Sequence, residues 1–231
     1  TGSYSVNPDG SGLTQRDPLV GPMTSQSPDG KWSVYSRRGE NGFWLSPVGS
    51  PRSDRRWQQV TSGADDCCEF ARWSSDGAHL LYSVGVGNGV CSQLWSTEVA
   101  TRTATPIVGP GTPNEGSGVC PMVESGRWSP DRSMVLFIDE GPDADRSVPM
   151  VVNADGSGLR PLVADDSVLP AGWYAMATAW SPDGVAVALS LVHDRGTGLY
   201  MVSADGTQVV EVTGLPIGAM PMDNIYWSPG L

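Results

Sequence analysis

Histidine, positive charge and long apolar runs are what this chain has least of. Its 231 residues hold two histidines and 14 Lys plus Arg against 25 Asp plus Glu, a net charge of −11 with a pI near 4.4. That balance excludes a nucleic-acid backbone as partner, because phosphate binding needs clustered cations to release counterions. The two basic clusters, Arg37-Arg38 and Arg52 to Arg56, sit among turn residues and read as solvated loops. No stretch approaches the roughly 18 consecutive apolar residues of a bilayer span. No Ser has Gly both two places before and two places after it, which removes the nucleophile elbow of an α/β-hydrolase. His79 and His193 lie far apart in the chain, so neither a Ser-His-Asp triad nor a paired-His metal site is expected. The chain starts at Thr1-Gly2 with no charged-then-apolar leader, as expected where a signal peptide, anchor or neighbouring domain has been removed.

Turn formers are abundant. Gly (29) and Pro (19) make up about a fifth of the residues, which demands many turns and disfavours helices. They fall in a repeat. The strings are Gln26-Ser27-Pro28-Asp29-Gly30, Trp73-Ser74-Ser75-Asp76-Gly77, Trp128-Ser129-Pro130-Asp131-Arg132, Trp180-Ser181-Pro182-Asp183-Gly184 and Trp227-Ser228-Pro229-Gly230. Their serines are spaced by 47, 55, 52 and 47 residues, slightly above the roughly 40 to 45 of a four-stranded propeller blade. Pro presets φ, Asp bonds its own downstream backbone and Gly supplies positive φ, so each string is first of all a turn.

A run rich in β-branched and aromatic residues follows each of the first four turns: 32–36, 80–83, 134–138 and 185–191. A second string, Asn153-Ala154-Asp155-Gly156 and Ser203-Ala204-Asp205-Gly206, marks a second hairpin per repeat. Each unit therefore holds strands A to D, with Trp-Ser on A. The expected architecture is one all-β domain over 1–231, a β-propeller of four-stranded blades at about 23–62, 69–109, 125–164 and 176–214. A composite closing blade of 225–231 plus 4–19 would make five, because Asn7-Pro8-Asp9-Gly10 matches the C-to-D turn. That closing blade would lack strand B, which keeps a fragment of a six- to eight-bladed ring as the alternative.

These strings resemble the TolB-like propeller repeat over about 27–231, with Gln26 in place of Trp, Ser75 in place of Pro and Arg132 in place of Gly. The resemblance implies a periplasmic or cell-envelope interaction module, or the gating domain attached to peptidases of the prolyl oligopeptidase family.

In a propeller the D-to-A and B-to-C connections share one face, and these connections hold the remaining distinctive residues. Cys67, Cys68, Cys91 and Cys120 lack the paired spacing of a zinc knuckle. Cys91 is expected to pair with Cys67 or Cys68 and Cys120 with the other, which implies an oxidising, extracytoplasmic compartment; four buried free thiols are the alternative. Asp65, Asp66, Glu69, Glu115, Glu124, Asp139, Glu140, Asp143, Asp145, Asp165 and Asp166 give that rim a negative potential suited to a basic partner. Calcium is a weak candidate on Asp139, Asp143 and Asp145, which lack EF-hand spacing; no other cofactor is expected. Trp173 and Tyr174, with Met220 and Met222, form either an apolar hot spot within the rim or local loop packing.

The expected function is a monomeric, non-catalytic scaffold recognising a protein or peptide through Asp65, Asp66, Glu69, Asp139, Glu140, Trp173, Tyr174, Met220 and Met222. The alternatives are a glycan-binding protein or a glycoside hydrolase or lyase using rim carboxylates, and a structural segment of a larger envelope protein.

Overall fold

Each of the first four Ser-Xaa-Asp turns joins the first two strands of a four-stranded antiparallel sheet. A computed structural model describes residues 4–5, 14–15, 20–37, 40–50, 58–60, 68–86, 91–109, 126–139, 147–193, 196–212, 225 and 227. Two short strands, β1 (Tyr4–Ser5) and β2 (Thr14–Gln15), pair with each other. The first blade is β3 (Val20–Gln26), β4 (Trp32–Arg37), β5 (Glu40–Pro47) and β6 (Gln58–Gln59). The second is β7 (Cys68–Trp73), β8 (His79–Val86), β9 (Cys91–Glu98) and β10 (Thr103–Val108). The third is β11 (Arg127–Trp128), β12 (Met134–Asp139), β13 (Val148–Asn153) and β14 (Arg160–Pro161). The fourth is β15 (Tyr174–Trp180), β16 (Ala186–His193), β17 (Gly196–Ser203) and β18 (Val209–Glu211). Within each sheet, chain order is spatial order. The chain is an all-β propeller.

The middle strands explain why the expected runs are almost continuously apolar. A blade is covered on both faces by its neighbours, so alternate residues of one strand enter different interfaces. In β12, Val135 and Phe137 join Phe70, Leu81 and Leu94 between blades two and three. Leu136 and Ile138 face the other way, meeting Val187, Leu189 and Leu191 between blades three and four. Val34, Phe43 and Leu45 pack on Ala71, Leu80 and Tyr82 between blades one and two, with Phe43 and Tyr82 edge to face at 6.2 Å. The repeat tryptophans serve these interfaces: Trp73 packs between blades one and two, Trp128 between two and three, and Trp180 is buried between three and four. His79 lies against Trp128, ring centres 6.2 Å apart.

The serine of each turn does more than its sequence position suggests. Ser129 Oγ donates to Asp131 Oδ1 at 2.6 Å and accepts from the Met134 amide at 3.0 Å. Ser27, Ser74 and Ser181 repeat that pattern. Gly30, Gly77 and Gly184 take φ of 70°, 72° and 74°, and Arg132 takes 65° in the same place. The departures in copies two and three meet: Ser75 Oγ donates to the Pro130 carbonyl at 3.0 Å, and Arg132 pairs with Asp76 at 2.7 Å. Exposure keeps that ion pair within about 1 kcal/mol.

Hydrogen bonds from Ser27, Ser74, Ser129 and Ser181 hold Asp29, Asp76, Asp131 and Asp183 below the ordinary carboxylate range. Ser203 does the same for Asp205, bringing it down to about 2. A carboxyl depressed in the folded state binds protons first in the unfolded chain. Its contribution is therefore complete above the unfolded value near 3.8 and fades as pH falls toward the folded value. The melting temperature is expected to fall as pH drops through the range from about 4 to 2. Ser129→Ala should cost about 1–3 kcal/mol at neutral pH, because the Met134 amide loses an acceptor, and it should make the acid limb shallower. Calorimetric melts across pH check this; parallel limbs for the two proteins would sink it.

Candidate functional site

One D-to-A connection, residues 162–173 between β14 and β15, is described throughout. Leu162 and Val163 stay buried as the chain leaves β14. Asp165 then caps a 3-10 turn, Asp166–Val168, by accepting from the Ser167 amide at 3.0 Å. Hydrogen bonding from Ser167 holds Asp165 below the usual carboxylate range. Leu169 and Trp173 turn back into the cluster between blades three and four and pin the connection down. Val168 and Tyr174 remain outside, 58% and 38% exposed.

Two clefts flank this connection. The first, about 390 Å³, is lined by Val148, Pro149, Val163, Asp165, Asp166 and Trp173 among others. The second, about 500 Å³, is lined by Val168, Leu169, His193, Tyr200, Val209 and Glu211 among others. Burial and the nearby Glu211 charge raise the Tyr200 phenol. Both clefts lie where strands B end and strands C begin, the face expected to carry recognition. Each holds carboxylate beside apolar side chains.

The other expected residues distribute unevenly. Trp173 is buried in the core between blades three and four, whereas Tyr174 is on the surface. Cys68 and Glu69 are the first residues of β7 and Cys91 the first of β9, so these three begin strands and are not part of the connections. Cys68 lies opposite Val84 and Cys91 opposite Val86, both at the B-to-C end of blade two. Asp139 ends β12, opposite Val148. Asp65, Asp66, Cys67, Glu115, Cys120, Glu124, Glu140, Asp143, Asp145, Met220 and Met222 lie outside the described residues.

A third cavity, absent from the sequence reading, lies among the A strands of blades two, three and four. About 430 Å³ in volume, it is bounded by Arg72, Trp73, Arg127, Trp128, Trp180 and Trp227 together with the turn residues Ser75, Pro130 and Pro182. Trp227 donates from Nε1 to the Ala179 carbonyl at 3.3 Å, which sets this indole beside strand A of blade four. The signal for this cavity was the residue preceding each repeat Trp, which is Arg in copies two and three and Ala in copy four.

No family model matches the sequence, and no curated protein matches it. The fold has many solved counterparts. A putative TolB from Agrobacterium tumefaciens superposes with a TM-score of 0.60 at 17% identity, covering 91% of this chain and 79% of that one. An oligogalacturonate lyase in complex with manganese gives 0.66 at 18% identity, over 93% and 59%. A puromycin-hydrolyzing peptidase of Mycobacterium tuberculosis gives 0.61 at 13%, over 88% and 33%. The chain thus spans less than two thirds of the lyase and about a third of the peptidase. At such identities the likeness is one of fold, and the same fold carries binding proteins and enzymes alike. Among the described residues no group of three or more His, Cys, Asp or Glu is placed to hold a metal ion, and no helix is long and apolar enough to cross a membrane.

Proposed function

We propose that the protein is an extracytoplasmic TolB-like binding scaffold whose D-to-A and B-to-C face recognises a basic peptide segment of a partner protein. The observation that carries this is the 162–173 connection: Val168 is exposed on it and Tyr174 just beyond it, and the clefts it separates carry Asp165 and Asp166 in one and Glu211 in the other. Apolar anchors beside carboxylates suit a segment that alternates apolar and basic side chains. The net charge of −11 would steer such a partner toward the surface. Loops held by a stacked-blade core can keep that geometry without paying for ordering on binding. Disulfides among Cys67, Cys68, Cys91 and Cys120 belong to the same proposal, as does the composite fifth blade.

Capture from a library of basic and acidic peptides, followed by calorimetry, tests the reading. Basic peptides should bind, and Tyr174→Ala should weaken them about tenfold or more with the melting temperature little changed. Equal binding by native protein and Tyr174→Ala, or a preference for acidic peptides, would overturn it.

A further inference from the structure

We propose that the cavity among the A strands is a site for a small organic carboxylate with an apolar or aromatic body, with Arg72 as its main anchor. This site is at the Ser-Xaa-Asp turn end of the blades, away from the peptide face, and does not depend on the function proposed above.

The argument begins with charge. Arg132 has Asp76, Arg102 has the Gln58 side chain, and Arg160 has the Leu162 and Ala204 carbonyls. Arg72 has no carboxylate partner among the described residues, in a chain with 25 acidic residues. Its guanidinium donates one bond, from Nη1 to the carbonyl of adjacent Ala71 at 3.3 Å, and lies 5.8 Å from the centre of the Phe70 ring. Four of its five N–H donors are thereby left for another acceptor. The group is half-buried and cannot shed its proton, so an anion is the partner that its surroundings favour.

The walls define the rest of the ligand. Arg127 lines the same cavity, and no acidic side chain does so among the described residues. Trp73, Trp128, Trp180 and Trp227 supply aromatic surface, and the indole N–H groups of the first three are buried without an acceptor. Aromatic walls around a cation suit a planar carboxylate that a guanidinium can grip with two parallel bonds, while its body covers indole. The volume of about 430 Å³ falls in the range of small-molecule sites.

The test uses the 231-residue chain, with tryptophan fluorescence and calorimetry reading phenylacetate, its uncharged amide phenylacetamide, and sulfate. Phenylacetate should bind saturably and at least about tenfold more tightly than either other probe. Arg72→Gln should weaken phenylacetate about tenfold or more and leave phenylacetamide unchanged, with Arg72→Lys in between because it keeps charge but loses the fork. Acid and amide binding alike, sulfate binding more tightly than phenylacetate, or no saturable signal up to about 10 mM would each overturn the assignment. So would a folded Arg72→Gln that binds phenylacetate as the native protein does. The comparison of acid, amide and sulfate needs no variant, so the test stands even if Arg72→Gln fails to fold.

Discussion

Gly206→Ala is expected to destabilise the protein by about 3 kcal/mol or more, the largest effect of any single methyl group in the described structure. Gly206 closes the C-to-D turn of blade four at φ +80°, and a Cβ there would run into the Leu162 carbonyl oxygen of blade three. Neither partner can step aside. Gly206 O accepts from the Ala164 amide at 3.3 Å, and Arg160 Nη2 donates to the Ala204 carbonyl at 3.1 Å, so two backbones are laced together at this point. Gly30 and Gly184 separate the two contributions. Gly30 has φ +70° with nothing within 4 Å of the added carbon, so Gly30→Ala should show only the left-handed penalty of about 1–2 kcal/mol. Gly184, at φ +74° with Pro130 Cδ at 3.4 Å, should fall between them. Urea denaturation of the three variants checks the order, and a Gly206→Ala no worse than Gly30→Ala would refute the interlock. Leu162 also starts the connection that carries Asp165 and Val168. A surviving Gly206→Ala should therefore bind basic peptides more weakly.

Those positions also show where the sequence was legible. Gly, Pro and Asp speak through backbone chemistry that is local, so the turns and the strands around them could be read from the strings alone. The serine could not be read as fully, because its role as acceptor for an amide five residues on exists only once the hairpin has closed. Trp173-Tyr174 looked like one aromatic pair, but adjacent residues at the start of a strand point to opposite sides. The connection is anchored by burying Leu169 and Trp173, and Tyr174 is left outside. Cys68 and Glu69 were expected in a connection, whereas β7 begins at Cys68 and bulges before Ala71. Arg72 and Arg127 escaped notice for a different reason. Their position in the repeat is not occupied by a constant residue type, and only the ring brings the A strands of different blades around one cavity.

Phe137→Ala should lower stability by about 3–5 kcal/mol, and its coupling to other sites is the sharper test of how the blades hold together. The ring is fully buried on the face of β12 that meets blade two, in one cluster with Phe70, Leu81, Leu94, Ile107 and Met150. Its neighbour Ile138 enters the cluster on the other side of the blade. If stability resides in blade-to-blade interfaces that each span one pair of neighbours, variants within one interface should interact and variants across a blade should add. Phe137→Ala combined with Leu81→Ala shares a cavity, so the pair should depart from additivity by about 0.5–3 kcal/mol. Phe137→Ala combined with Leu189→Ala, which lies in the next interface, should add within about 0.5 kcal/mol. A strong coupling across blade three would mean that the blade shifts as a rigid plate when either face is emptied. In that case the cavity among the A strands and the 162–173 connection, both of which involve blade three, should respond together: Phe137→Ala would weaken phenylacetate and basic peptides alike. Additivity across the blade predicts the opposite, two sites that can be perturbed one at a time.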